Sequence, residues 1–513
     1  MKLIYGVKDR PKPGQIALFA LQQLLAILAA TIAVPIQVNS MTESNMSISA
    51  ALFGAGAGTL IYLLFTKFKS PVFLGSSFAF IGSMAAAFAG AATMGAASVT
   101  IGYLGILIGA VFAGLVYVII AVVVKFAGVR WIDKIMPAVV IGPTVALIGL
   151  SLSGSAVGQA VGNASLVGGS YTMDLHAGLS LLCALVTLAA TIISSVYGKK
   201  MMKMIPFIIG ILSGYILAAI FTGFSYIPGA DPGLRLIDFT LFESMQWVPD
   251  FTFVEAFFKT DFSGDMSNFG AYIGTIAVAY IPVAFVVFAE HLADHKNISS
   301  IIEHDLLTDP GLSRTLLGDG IGSMVGAFFG GCPNTTYGES IGCVAISGNA
   351  SVITIFTTAI VALVAAFIAP FVTFLATIPA CVMGGVCIAL YGFIAVSGLK
   401  MIQKVDLNEN GNLFVVSTIL VSGVGGMALT FGKVTITAIA CSLILGILVN
   451  ALVNIKGKKP EAPAASENAP DGAVMKEAAA QTVTEKAAPE TLAAPEIPDA
   501  DNVPAAQEEG GKA

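Results

Sequence analysis

Four ionisable side chains stand within six positions of one another in AEHLADH, residues 289–295: Glu290, His291, Asp294 and His295. The run before them, IAVAYIPVAFVVF, is predominantly apolar and reads as a helix in lipid. A charged side chain at bilayer depth costs at least about 2.5–3.5 kcal/mol, so such groups are rare unless they are used. Glu290 and Asp294 are four apart and share one helix face. His291 and His295 form a second such pair, rotated by about 100°. The two pairs therefore cannot all face one cavity. Glu290, preceded by unbroken apolar sequence, is expected in the cavity; His295, beside Lys296 and Asn297, is expected at the cytoplasmic edge.

Two further acids lie in apolar surroundings. Glu339, in NTTYGES, has no basic residue nearby in the sequence. A carboxyl group in that setting can take up a proton on one side of a membrane and release it on the other, or accept a ligand N–H. Asp319, in LLGDGIGS, reads either as a structural hydrogen bond to neighbouring backbone or as a proton-handling group. The six cysteines lie in or beside apolar segments without metal-ligand spacing and read as small core residues. There is no phosphate-cradling Gly-Lys motif and no nucleophile elbow. The reading is a transporter and not an enzyme, with no cofactor; a membrane-embedded enzyme built on the two carboxylates would lack a nucleophile.

These residues need a membrane scaffold, and the composition supplies one: of 513 residues, 56% are hydrophobic and 11% charged. Soluble domains are typically about 25% charged. Windows of about 20 apolar residues place spans at 16–36, 47–66, 72–91, 101–125, 136–154, 176–197, 203–224, 271–292, 314–331, 334–348, 350–375, 378–397, 411–431 and 434–454. Lys and Arg mark every second connection as cytoplasmic, from Lys2, Lys8, Arg10 and Lys12, through Lys67 and Lys69, Lys199 and Lys203, and Lys400 and Lys404, to Lys456. The 225–270 loop is expected outside; it holds Arg235 and Lys259 against seven acids. Both termini are then cytoplasmic, and the polar, basic N-terminus does not read as a cleaved signal peptide. From Pro460 the chain carries 11 acidic and 3 basic residues and no aromatics, the composition of a solvated appendage.

Two spans are poor by hydropathy. The third contains FLGSSFAF (73–80) and the tenth CPNTTYGESIG (332–342), each the third of a half of seven. Interrupted segments at matching positions in two halves point to a transporter binding site. The plainer alternative, small residues that let helices pack closely, explains neither the matched positions nor Glu339.

FLGSSFAFI (73–81), AEHLADH (289–295), DLLTDPGLSRTLLGDG (305–320), PNTTYGESIG (333–342) and LYGFIAVSG (390–398) together resemble the nucleobase–cation symporters, also called the nucleobase–ascorbate transporter family. The resemblance is closest to the uracil permease branch and runs over about residues 6–455. The motif at 333–342 is the specific one, since purine-transporting relatives usually read differently there. The resemblance implies an all-α polytopic membrane protein, with fourteen spans as two inverted seven-segment repeats and short strands in broken spans three and ten.

Its implied organisation is a cytoplasmic N-terminus (1–15), core spans 1–4 (16–125), gate spans 5–7 (126–224), an extracellular loop (225–270), core spans 8–11 (271–375), gate spans 12–14 (376–455) and the acidic tail (456–513). The implied function is proton-coupled uracil import by alternating access across the cell membrane, the inner or plasma membrane. A purine or xanthine permease, and an anion exchanger or channel of the same fold, are the alternatives. Substrate contacts fall on Glu290, Glu339, Phe78, Tyr337, Gly338, Ala30 and Tyr391; proton coupling falls on Asp294, Glu290, Asp319 and His291. The implied partners are uracil, protons, the bilayer and a second copy through the gate domains, with no nucleic acid; Na⁺ in place of H⁺ stays open.

Two positions depart from the family. Asp294 stands where some members have histidine, and Gln22-Gln23 where many have Gln-His. Hydropathy also puts Glu290 at the end of its span, whereas the family puts it near the membrane centre. A helix that starts after residue 271 and continues past Asp294 would reconcile the two.

Overall fold

The structure, a computed structural model, describes residues 3–42, 44–92, 98–128, 131, 137–199, 201–260, 268–431 and 434–455. The acidic tail read above as a solvated appendage lies outside the described residues. In lipid, backbone groups must pair internally, so helices carry the chain. They are α1 (Pro13–Thr42), α2 (Ile48–Phe65), α3 (Ile81–Ala91), α4 (Ser98–Ala127), α5 (Ala138–Ser151), α6 (Ser153–Ala160), α7 (Leu175–Val196), α8 (Met201–Met204) and α9 (Pro206–Phe224). The second half continues with α10 (Thr252–Phe258), α11 (Phe269–Ile302), α12 (Leu312–Gly330), α13 (Gly338–Ser347), α14 (Val352–Ala365), α15 (Ala369–Ala376), α16 (Ala380–Ile402), α17 (Asn410–Val424) and α18 (Ala438–Val453). Among the described residues eight helical stretches are long and apolar enough to cross a membrane, or nine if α14 and α15 count as one span. That pair bends by 84°, with Pro370 in the first turn of α15, where a missing N–H costs nothing.

The two weak spans are strand-then-helix units. Strand β1 (Leu74–Ser76) precedes α3, and β4 (Asn334–Thr336) precedes α13. They pair antiparallel in the register Leu74 to Thr336, Gly75 to Thr335 and Ser76 to Asn334. Two other hairpins, β2–β3 (Leu166–Val167 with Ser170–Tyr171) and β5–β6 (Leu429–Phe431 with Val434–Ile436), are separate. The second shortens the thirteenth predicted span, whose helix ends at Val424.

Helix α12 packs on α2 and α4, α14 on α1 and α2, and α11 on α3 and α4; α16 packs on α5, α6 and α7, and α17 on α5 and α18. The α2–α12 approach depends on glycine. A Cβ on Gly54 would sit 2.4 Å from the Gly326 carbonyl oxygen. This small-residue seam brings α12, with Asp319, against the strand pair.

Candidate functional site

Each edge of the β1–β4 pair is tied to its surroundings by side chains, which is how non-helical backbone survives at membrane depth. Thr59 Oγ1 donates to the Leu74 carbonyl (3.1 Å) and accepts from the Leu74 N–H (2.9 Å). Asn334 Nδ2 donates to the Gly54 carbonyl at 3.0 Å, and Ser323 Oγ to the Asn334 carbonyl. Gln23 Nε2 donates to Ser340 Oγ at 2.5 Å, and that hydroxyl accepts from the Phe73 N–H at 3.2 Å. So Gln23 braces both broken spans through Ser340.

The strand pair aims Tyr337 across itself. Its hydroxyl donates to the Ser76 carbonyl at 2.7 Å, and its N–H to the Phe73 carbonyl at 3.2 Å. The ring crosses Gly75, where any Cβ would lie 2.3 Å from it. Gly338 and Glu339 then open α13, where the first N–H groups of a helix lack intrahelical acceptors.

A cavity of about 360 Å³, within the range of small-molecule sites, adjoins this crossing. It brings together Phe78, Glu290, Asp294, Tyr337, Gly338 and Glu339. Its far wall is one stripe of α16, from Leu390 through Phe393, Ile394 and Ser397 to Met401, a reach of about 17 Å at 1.5 Å per residue. Three carboxylates thus line one cavity, and among the described residues no Lys or Arg lines it. Helix α11 starts two residues before the expected 271 and runs on to Ile302, so Glu290 and Asp294 lie well inside it.

Asp294 Oδ2 accepts from Thr336 Oγ1 at 2.6 Å, which couples the carboxylate to β4. Thr336 is a residue that sequence reasoning missed; its signal was the NTT of the broken span. Ala30 is buried in α1 and does not line the cavity. Tyr391 stands behind Phe78, with its ring edge-on at 5.6 Å and its hydroxyl on Gln37 Oε1 at 3.1 Å.

The histidine pair faces the other way. His291 Nδ1 is 2.7 Å from Asp319 Oδ2, and its Nε2 is 3.1 Å from Thr315 Oγ1. The Thr315 hydroxyl also lies 3.0 Å from the Leu312 carbonyl, so both ring nitrogens of His291 have a partner in α12. Asp319 therefore bonds a side chain, where one reading had it on neighbouring backbone. The expectation for His295 is corrected. It is 0% exposed, stacked on His291 at 3.9 Å, with Nε2 2.7 Å from the Tyr62 hydroxyl. Sequence neighbours Lys296 and Asn297 misled because adjacent residues on a helix point about 100° apart.

The family model described as "Permease family" matches residues 14–432, which include every residue of this cavity. The chain belongs to this permease family, on its uracil permease branch. It is 38% identical over 472 residues to the uracil permease of Bacillus caldolyticus, covering 91% of this chain and 97% of that one. It is 32% identical to the uracil permease of Escherichia coli K12, covering 86% and 92%. Among solved structures it resembles the transmembrane domain of a cyanobacterium bicarbonate transporter, BicA, with a TM-score of 0.54 at 15% identity over 87% of this chain and 99% of that one. It also resembles the murine anion transporter Slc26a9 in its inward-facing state, with a TM-score of 0.60 at 13% identity over 88% and 69%. At those identities the likeness is one of fold. The chain is a multi-pass membrane transport protein.

Proposed function

We propose that the chain imports uracil across the cell membrane by symport with protons. Fourteen spans form two inverted seven-segment repeats, and a core domain and a gate domain alternate access to the cavity. Both termini are cytoplasmic, and the protein works as a homodimer through its gate domains. One observation carries the reading: Glu290, Glu339 and Asp294 line one cavity beside the start of α13. Carboxylates accept ring N–H groups, and the first N–H groups of a helix donate to ring carbonyls, which is the alternation a uracil edge presents. Relatives named uracil permease support the same substrate.

The cavity also argues for the coupling ion. Like charges gathered away from water are costly unless protons or a cation neutralise them. The His291–Asp319 pair, 2.7 Å apart behind the same helix, is a second place that can hold a proton. Asp294, tied to β4, links proton occupancy to the strand that leads into Tyr337. The same carboxylates weigh against an anion exchanger, whose substrate would meet three negative groups and no cation among the lining residues.

Uptake of labelled uracil into proteoliposomes, with and without an imposed pH gradient, tests the proposal. Accumulation that follows the proton gradient and persists without Na⁺ is expected. Xanthine or guanine displacing uracil at equal concentration would reassign the substrate to the purine alternative. A continuous conductance without saturable uracil uptake would overturn transport by alternating access.

A further inference from the structure

A second polar cluster joins α1 to the helices around α16. Gln37 of α1, Gln159 of α6 and Tyr391 of α16 are all buried, at 0%, 1% and 2% exposure. Gln37 Oε1 accepts from Gln159 Nε2 at 2.9 Å and from the Tyr391 hydroxyl at 3.1 Å. Gln37 Nε2 donates to Ser155 Oγ, also on α6. Gln159 Oε1 is buried and has no protein partner.

Position gives this cluster its meaning. Gln37 lies seven residues beyond Ala30, about 10 Å along α1 towards its C-terminal end. The cavity runs the opposite way, along α16 from Leu390 to Met401, beside the basic residues Lys400 and Lys404. By the distribution of Lys and Arg, the cavity faces the cytoplasm and the cluster closes the outer side. Tyr391 touches both, since its ring packs on Phe78, which lines the cavity. A set of amide and hydroxyl groups is satisfied in two ways, mutually bonded while buried or separately hydrated once apart. An apolar seal would have only the first. The unpaired Gln159 oxygen gains a partner when water enters, which lowers the cost of parting.

We propose that Gln37, Ser155, Gln159 and Tyr391 form the outer latch of the transport cycle, closed here and broken when the cavity turns outward. The proposal rests on the transport reading above. Gln37→Leu strands Gln159 Nε2 and the Tyr391 and Ser155 hydroxyls in the closed form, while water satisfies them in the open form. The equilibrium then moves outward by about tenfold or more.

The test is side-specific labelling, without ligand, of an Ile148→Cys chain. Ile148 lines the cavity, and the six native cysteines are buried. A membrane-impermeant maleimide is added outside intact cells or to inside-out vesicles. Gln37→Leu should raise outside labelling about tenfold and lower inside labelling, whereas Gln159→Leu, which removes the unpaired oxygen and leaves Gln37 Oε1 its Tyr391 partner, should not raise outside labelling. Tyr391→Phe, which keeps the ring on Phe78 and removes one hydrogen bond, should shift the ratio less. A merely structural role would change protein yield and melting without moving the two rates in opposite directions. An unchanged outside-to-inside ratio in folded Gln37→Leu and Tyr391→Phe overturns the latch. A shifted ratio in a chain that takes up no uracil supports the latch and overturns only the substrate.

Discussion

Gly75→Ala tests whether the strand crossing sets the ligand site. The new methyl carbon would lie 2.3 Å from Cε2 and 2.4 Å from Cζ of Tyr337. Carbon atoms settle at about 3.5–4.0 Å, so the ring must retreat by more than about 1 Å. It cannot do so and keep its 2.7 Å hydrogen bond to the Ser76 carbonyl, which would be left unpaired where the ring is 3% exposed. Overpacking costs about 1–3 kcal/mol, and an orphaned buried acceptor about 1–3 kcal/mol more. Because Tyr337 lines the cavity, uracil binding should weaken at least about tenfold. Calorimetric titration of the purified variant measures it, with the melting temperature as a control for folding. Tyr337→Phe alone, which leaves the same Ser76 carbonyl without its donor, should cost about 1–3 kcal/mol. Adding it to Gly75→Ala should cost little more, because the hydrogen bond is already gone. Unchanged binding and melting in Gly75→Ala would refute the argument that Gly75 is there for the tyrosine.

Other outcomes are expected. Glu290→Gln and Glu339→Gln should each weaken uracil binding by about 1.5–3 kcal/mol through loss of a charge-assisted hydrogen bond, read by the same titration. Asp294→Asn keeps an acceptor for Thr336, so binding should stay within a few-fold while uptake driven by a pH gradient is lost; continued accumulation would remove Asp294 from coupling. Gly326→Leu should lower the melting temperature and uptake together, because its Cβ would lie 2.3 Å from Asn334 Nδ2 and displace the side chain that ties β4 to the Gly54 carbonyl. Deleting residues 460–513, which lack aromatics and carry 11 acids, should leave proteoliposome uptake intact.

What could be read from the sequence followed from local cost. An acid in an apolar run is expensive, so Glu290, Asp294, Asp319 and Glu339 stood out by themselves. A span diluted with Ser, Thr and Gly is a poor hydrocarbon resident, so residues 73–80 and 332–342 stood out too. What stayed hidden depends on partners far along the chain. Thr336 reaches Asp294 across 42 positions, Gln23 reaches Ser340 across 317, and Gln37 meets Tyr391 across 354. No local pattern records such pairings. His295 was misplaced for the same reason, since its surroundings are set by Tyr62, 233 positions away.

The β1–β4 register also constrains how the protein is made. Leu74 pairs with Thr336, so the first broken span emerges from the ribosome about 260 residues ahead of its partner. At about 5–20 residues per second that is a wait of roughly 13–52 s. Leu74 has Thr59 of α2, but the Phe73 carbonyl and the Ser77 N–H, which bond Tyr337 and Pro333 in the finished fold, wait without those partners in hydrocarbon, where each costs several kcal/mol. The segment around Leu74–Ser76 must therefore be sheltered outside the lipid core, in water or in the insertion machinery, until Asn334–Thr336 arrives. A nascent chain stopped before Asn334 lacks Tyr337, Gly338 and Glu339, and with them one wall of the cavity.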